Sequence, residues 1–174
     1  MNNAAAVISA LGLSPHPEGG WFLETYRCAE TTAAEALPER YGGPRSFSTA
    51  IYYLLEQGDY SALHRVRTDE LFHFYFGAPV EILTVSPKGV AEIAVIGADI
   101  AAGQRPQFLV PGGTIQALRP AVQGGAYSLL GTTVAPGFDY RDFALLSADA
   151  VFDQFPQLKT SPTAPIIRSL SPRS

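Results

Sequence analysis

The stretch Gly58-Asp-Tyr-Ser-Ala-Leu-His64-Arg-Val66-Arg-Thr-Asp-Glu70-Leu-Phe-His73-Phe-Tyr-Phe-Gly77 holds two of the chain's three histidines and reads as strand, tight turn, strand. Side chains two apart on a strand share a face, so positions 64 and 66 point the same way, and Glu70 returns on the neighbouring strand. A carboxylate on an otherwise apolar strand face is costly to bury without a partner. An inward histidine beside it can share its proton and titrate near neutrality. His64 and Glu70 are therefore the candidate catalytic residues, with the chemistry of a general acid/base pair. His73 follows Glu70 by three positions. Alternation gives Phe72, Phe74 and Phe76 the glutamate's face and sends His73 and Tyr75 outward, towards a subunit contact, unless a bulge shifts the register.

The spacing of Gly58, His64, Glu70 and Gly77 resembles the first motif of the cupins, matched at every position except the second histidine, where Val66 stands. Pro111-Gly112-Gly113-Thr114-Ile115-Gln116 is similar to the core of the second cupin motif with Gln116 in place of its histidine, although Gly103 lies eight positions before Pro111 instead of six. Metal-binding cupins hold Fe, Mn, Ni or Zn through the histidines and glutamate of these motifs. The resemblance thus implies a site that has lost two of its four ligands. No tightly held metal is expected, and a divalent cation that did bind would fall to His64, Glu70 and Gln116. Gln116, a weak carbonyl donor, is expected instead to hydrogen-bond a ligand in the pocket.

Three further segments, HPEGGWFLETYR at 16–27, STAIYYLL at 48–55 and SLLGTTVAPGFDYRDF at 128–143, resemble an uncharacterised subfamily of small RmlC-like cupins of bacteria and fungi. That resemblance implies a homodimer of jelly-roll β-barrels, each with a small-molecule pocket. By analogy with RmlC, it also implies a metal-independent epimerase or isomerase acting on a sugar-like or polar substrate. A metal-dependent cupin oxygenase or isomerase, and a ligand-binding cupin without catalysis, are the alternatives.

The elements that must position these residues are short. Asn3 to Leu11 places Val7, Ile8 and Leu11 at helical spacing with Gly12 as a stop. Trp21 to Arg27 is rich in strand-favouring residues, and Glu30 to Pro44 reads as a loop. The runs SFSTAIYYLLE, SALHRV, ELFHFYF, VEILTVS, AEIAVIG, QFLV, TIQALRP and AYSLLGTTV are strand-sized and broken by turns such as Pro87-Lys88-Gly89. The expectation is an all-β fold, a jelly-roll barrel over about 16–143 within a single domain spanning 1–174. It carries a short N-terminal helix and a short C-terminal helix over Ala144 to Phe155, and the Pro- and Ser-rich residues 159–174 form a mobile or surface-laid tail.

Within that frame, Glu24 and Tyr26 share one face of the first strand and Thr25 and Arg27 the other, so only one set lines a pocket; Glu24 and Tyr26 are the candidate ligand-binding pair. Phe138 follows the turn Pro136-Gly137 and is placed as a plug or lid at the barrel mouth. His16, in a Pro-flanked turn, reads as structural, and the lone Cys28 as packing.

Composition bounds the rest. Hydrophobic residues make up 47% and charged residues 16% of 174, which suits a compact globule. A net charge of −4 leaves no basic stripe for a phosphate backbone, so nucleic acid is not an expected partner. The basic leader of a signal peptide is absent from the opening residues, no apolar run approaches the roughly 20 residues that span a bilayer, and one cysteine suits a reducing compartment. A cytoplasmic protein with no membrane partner is the expectation.

Overall fold

A computed structural model describes residues 3–121 and 127–173. In chain order its elements are α1 (Ala4–Leu11), β1 (Ser14–Pro15), β2 (Trp21–Arg27), β3 (Thr31–Thr32), β4 (Arg45–Ser46), β5 (Thr49–Glu56), β6 (Ser61–Val66) and β7 (Glu70–Gly77). They continue with β8 (Val80–Val85), β9 (Ala91–Ile96), β10 (Gln107–Val110), β11 (Ile115–Pro120), β12 (Tyr127–Val134), β13 (Phe143–Leu145), α2 (Ala148–Gln154) and α3 (Ala164–Ser169). The strands β5 to β12 fall on the runs picked out by alternation and turn chemistry.

Two antiparallel sheets face each other in jelly-roll fashion, one ordered β1-β2-β5-β12-β7-β10 and the other β13-β6-β11-β8-β9. Period-two alternation divides each strand between inside and outside. On β5, Thr49, Ile51, Tyr53 and Leu55 point inward; Leu54 points outward beneath α1. The interior is apolar at one end, where Tyr53, Leu55, Phe72, Ile82, Leu118 and Leu130 pack together. At the other end the inward positions turn polar and leave a cavity.

Each outer face is also covered in part. Val7 and Leu13 of the N-terminal segment pack on Leu54 and Leu129. The helix is fixed at its start by the Asn3 side chain, which accepts from the Ala5 amide at 3.0 Å, and at its end by Gly12 in the left-handed region, φ 66°. The opposite face is buried by the C-terminal residues, where the structure departs from expectation twice. First, the C-terminal helix begins at Ala148 rather than Ala144, because Ser147 caps it by accepting from the Ala150 amide, while residues 143–145 pair with β6 as a strand. Second, of the two forms expected for the tail, mobile or surface-laid, residues 159–173 take the surface-laid one and add the helix α3. Leu158, Ala164, Ile167 and Leu170 are buried against Leu63, Leu83, Val85 and Ile115. The Leu63 amide donates to the Leu170 carbonyl at 2.8 Å. The Pro and Ser that suggested mobility serve as turn and helix-start residues.

A bulge also alters β7. Leu129 pairs with Phe76 and Leu130 with Phe74, leaving Tyr75 as the extra residue. Phe72 and Phe74 join the interior as expected; Phe76 does not, and lies 47% exposed outside beside Tyr75. No described helix is long and apolar enough to cross a membrane.

Candidate functional site

The polar end of the interior encloses a cavity of about 350 Å³. Its back is formed by β6, β7 and β12, which supply His64, Val66, Glu70, Phe72 and Thr132. His64 and Val66 share one face as the strand period requires, and Glu70 comes from the facing sheet.

The residue that completes this arrangement lies in the turn before β2. His16-Pro17-Glu18-Gly19-Gly20 closes on itself, the His16 amide donating to the Gly20 carbonyl and the Gly19 amide to that of His16, both at 3.0 Å. Gly19 has φ 108°, and a Cβ there would overlap the Tyr60 carbonyl oxygen, so only glycine lets the turn press against β6. The turn carries Glu18 and His16 into the cavity wall. Glu18 Oε1 accepts from Ser61 Oγ at 2.8 Å, and its Oε2 lies 3.3 Å from His64 Nε2. His64 Nδ1 is 2.8 Å from the Ala62 carbonyl oxygen. A carbonyl only accepts, so Nδ1 carries a hydrogen; a neutral ring would then point its Nε2 lone pair at a carboxylate. The contact is favourable only with one proton between the two groups, on the imidazole or on the carboxyl. The sequence reading paired His64 with Glu70, whereas the structure pairs it directly with Glu18.

Glu70 accepts from Gln116 Nε2 at 2.6 Å across the two sheets. Burial pushes its carboxyl above the ordinary value, opposed by His64 and reinforced by the charge of Glu18. A group raised on folding stabilises the fold below its ordinary value of 4.5 and loses that contribution as pH rises through the raised one. The wild type should therefore lose thermal stability relative to Glu70→Gln as pH rises from 4.5 to neutrality, measured by paired melting curves. His16, whose ring burial drives towards the neutral form, acts with the opposite sign, disfavouring the fold as pH falls below 6.5, and cancels in the comparison.

Among the other predicted site residues, Glu24 and Phe138 line the cavity. Tyr26 does not: it is 51% exposed on the outside. The cause is a bulge at Thr25, since Glu24 pairs with Ile51 and Tyr26 with Ala50. The bulge brings Glu24 and Arg27, one from each expected face, into the same wall, where Arg27 holds Glu24 through two bonds of 2.8 and 2.6 Å. Gln116 is buried behind Glu70 and is not part of the cavity wall, so it supports Glu70 instead of meeting a ligand. The mouth is aromatic: Phe138 lies 5.1 Å from Tyr140, and Phe143 lies 5.5 Å from the His64 ring. His73 faces away, bonded to Thr133 Oγ1 and the Gln107 amide. Glu18 carries no expectation from the sequence; His16, expected to be structural, and Arg27, from the alternative face of the first strand, also line the cavity. Tandem glycines after a carboxylate, which demand a close backbone approach, were the available signal for Glu18.

The donor set does not suit the metal found in many cupins. Val66 is apolar, and Gln116 turns its amide N–H, not its oxygen, towards Glu70, engaging one of the two carboxylate oxygens. Among the described residues no three His, Cys, Asp or Glu side chains are grouped to hold a metal ion. Protein purified without chelator should carry well under one equivalent of Fe, Mn, Ni or Zn by elemental analysis; a stoichiometric metal lost with His64→Ala would overturn this.

Residues 5–146 match the family model described as cupin superfamily (DUF985). A protein of known structure from Shewanella oneidensis, SO0799, is 37% identical, with each chain covered completely and a TM-score of 0.83. A hypothetical protein from Leishmania major is 30% identical, covering 99% of this chain and all of the other, with a TM-score of 0.87. The uncharacterized protein YML079W of Saccharomyces cerevisiae is 30% identical over 144 residues, covering 79% of this chain and 72% of its own.

Proposed function

We propose that this chain, which belongs to the DUF985 family of the cupin superfamily, binds a small polar or sugar-like molecule in its barrel and isomerises or epimerises it by proton transfer without a metal. Membership of the superfamily supports small-molecule binding. The catalytic part rests on one observation: buried His64 Nε2 lies 3.3 Å from Glu18 Oε2 in the wall of a cavity that Glu70 enters from the facing sheet.

In this reading the C–H bond next to a substrate carbonyl breaks, and its proton passes to the His64–Glu18 unit. The electron pair moves into the carbonyl, forming an enolate. Glu70, whose burial favours the protonated form, returns a proton to carbon. For epimerisation it goes to the opposite face of the same carbon, and the carbonyl re-forms. For isomerisation it goes to the former carbonyl carbon, while the hydroxyl on the deprotonated carbon passes its proton to the former carbonyl oxygen and becomes the new carbonyl. Arg27, Glu24 and the aromatic mouth of Phe138, Tyr140 and Phe143 orient the substrate. A homodimer belongs to the same proposal, supported by the exposed Tyr75 and Phe76 on the outer sheet face.

The test is hydrogen exchange. Aldoses, ketoses and keto sugars are incubated with the protein in deuterium oxide, and proton NMR follows the position next to the carbonyl. At least one compound should exchange with wild type and not with His64→Ala. Stabilisation by a ligand with no exchange in any compound would replace catalysis by simple binding.

A further inference from the structure

The ionic character of the cavity wall narrows the ligand beyond "small and polar". We infer that the cavity selects a ligand carrying a protonated amine and rejects anions, its carboxylates and aromatic faces together forming the ammonium site. This rests on the reading that the barrel interior is the binding site.

Four carboxylates line the cavity: Glu18, Glu24, Glu70 and Asp139. Among the described lining residues the one lysine or arginine is Arg27, and it is committed twice, to Glu24 and to the Phe138 carbonyl at 3.2 Å. Asp139 is held from outside the cavity by Arg141 at 2.7 Å. Neither imidazole is free to bind an anion. His16 is driven by burial towards the neutral ring, its Nδ1 accepting from the Glu18 amide at 3.4 Å, and His64 Nε2 is already engaged by Glu18 at 3.3 Å. An anion entering here finds no uncommitted guanidinium to bind it, while Glu70, whose hydrogen-bond partner is the uncharged Gln116 amide, would have to stay protonated beside it.

A cation meets the reverse situation. Its N–H groups find carboxylate oxygens, which form the stronger, charge-assisted bonds. Phe22, Phe138, Tyr140 and Phe143 present ring surface around the same volume, and ammonium groups are attracted to such faces. Glu70 gains most: an adjacent ammonium favours its charged form against the burial that now opposes it. A cavity of about 350 Å³ admits a molecule of roughly amino-sugar or aralkylamine size.

Two matched series test this by titration calorimetry: glucosamine, glucose and glucuronate, and benzylamine, benzyl alcohol and benzoate. In at least one series the amine should bind about tenfold or more tighter than its neutral and acidic counterparts. Glu70→Gln should remove most of that preference. Should that variant fold poorly by circular dichroism, Glu18→Gln serves in its place. Tighter binding of an acid, equal binding within both series, or no amine binding at millimolar concentration would overturn the inference. Amine selectivity without deuterium exchange in any compound would remove the catalytic proposal and leave this one standing; exchange in neutral sugars with no amine preference would do the opposite.

Discussion

Replacing Asp142 with alanine is expected to lower the unfolding free energy by about 3–5 kcal/mol, a larger loss than most single substitutions bring. Arg45 and Asp142 form a two-bond ion pair, Nε to Oδ2 at 2.7 Å and Nη2 to Oδ1 at 2.9 Å, with both side chains 1% exposed. The guanidinium also donates to the carbonyls of Tyr41, at 2.6 Å, and Pro44, at 2.9 Å. Those bonds would survive the substitution and hold the cation in place without its bonded counter-charge, the more distant Asp139 being the carboxylate left to act on it. An unpaired buried charge is the costly outcome; a buried pair is itself close to neutral. The double variant Arg45→Met with Asp142→Leu should therefore recover most of the loss. Urea unfolding checks both, as a lower midpoint with an unchanged slope for the single variant. A double variant as unstable as the single would show that geometry, not isolated charge, carries the effect. The pair also anchors the segment between Phe138 and β13, so the single variant should loosen the aromatic mouth.

The second large effect concerns Glu18. Glu18→Gln should reduce deuterium exchange by about 10²–10⁴-fold while leaving the fold nearly as stable as wild type. An amide of the same shape can accept from Ser61 Oγ and donate to His64 Nε2, so every buried polar atom keeps a partner. What it cannot do is hold the proton that the carboxylate and the imidazole exchange. Glu18→Ala separates the two roles: it leaves His64 Nε2 and Ser61 Oγ without their partner and should cost about 1–3 kcal/mol in addition. The exchange assay and thermal melts on the same preparations decide the matter. Near wild-type exchange in Glu18→Gln would return the acid/base role to His64 and Glu70 alone.

The strands were legible because their signal is local. Alternation and turn residues delimit β5 to β12, and the spacing around His64 and Glu70 was enough to put both side chains inside. What failed to show in the sequence was whatever depends on an extra residue or a distant surface. Bulges at Thr25 and Tyr75 each shift the inside–outside count by one, which sent Tyr26 and Phe76 outward and drew Arg27 in beside Glu24. Nothing in the residue types of those strands marks the shift. Glu18 was overlooked because its role arises from a turn docking on β6, a contact between residues 43 positions apart. Gln116 was placed correctly in the interior yet assigned to the ligand, since sequence cannot say that Glu70 reaches it first. The C-terminal residues read as either mobile or surface-laid for a related reason: Pro and Ser are common in loose tails, and the apolar Leu158, Ile167 and Leu170 announce burial only once an uncovered sheet face is known to await them.

That coverage has a consequence for how the molecule is made. Leu63, in the middle of β6, finds its amide's partner in Leu170, 107 positions later along the chain. While the polypeptide is still emerging from the ribosome, the strands can assemble, but the apolar face over Leu63, Leu83 and Ile115 stays wet until Leu158 to Leu170 have followed. Coverage of that face thus waits on residues about a hundred positions downstream, and a nascent chain that has not yet supplied them would present a sticky sheet surface to chaperones and proteases.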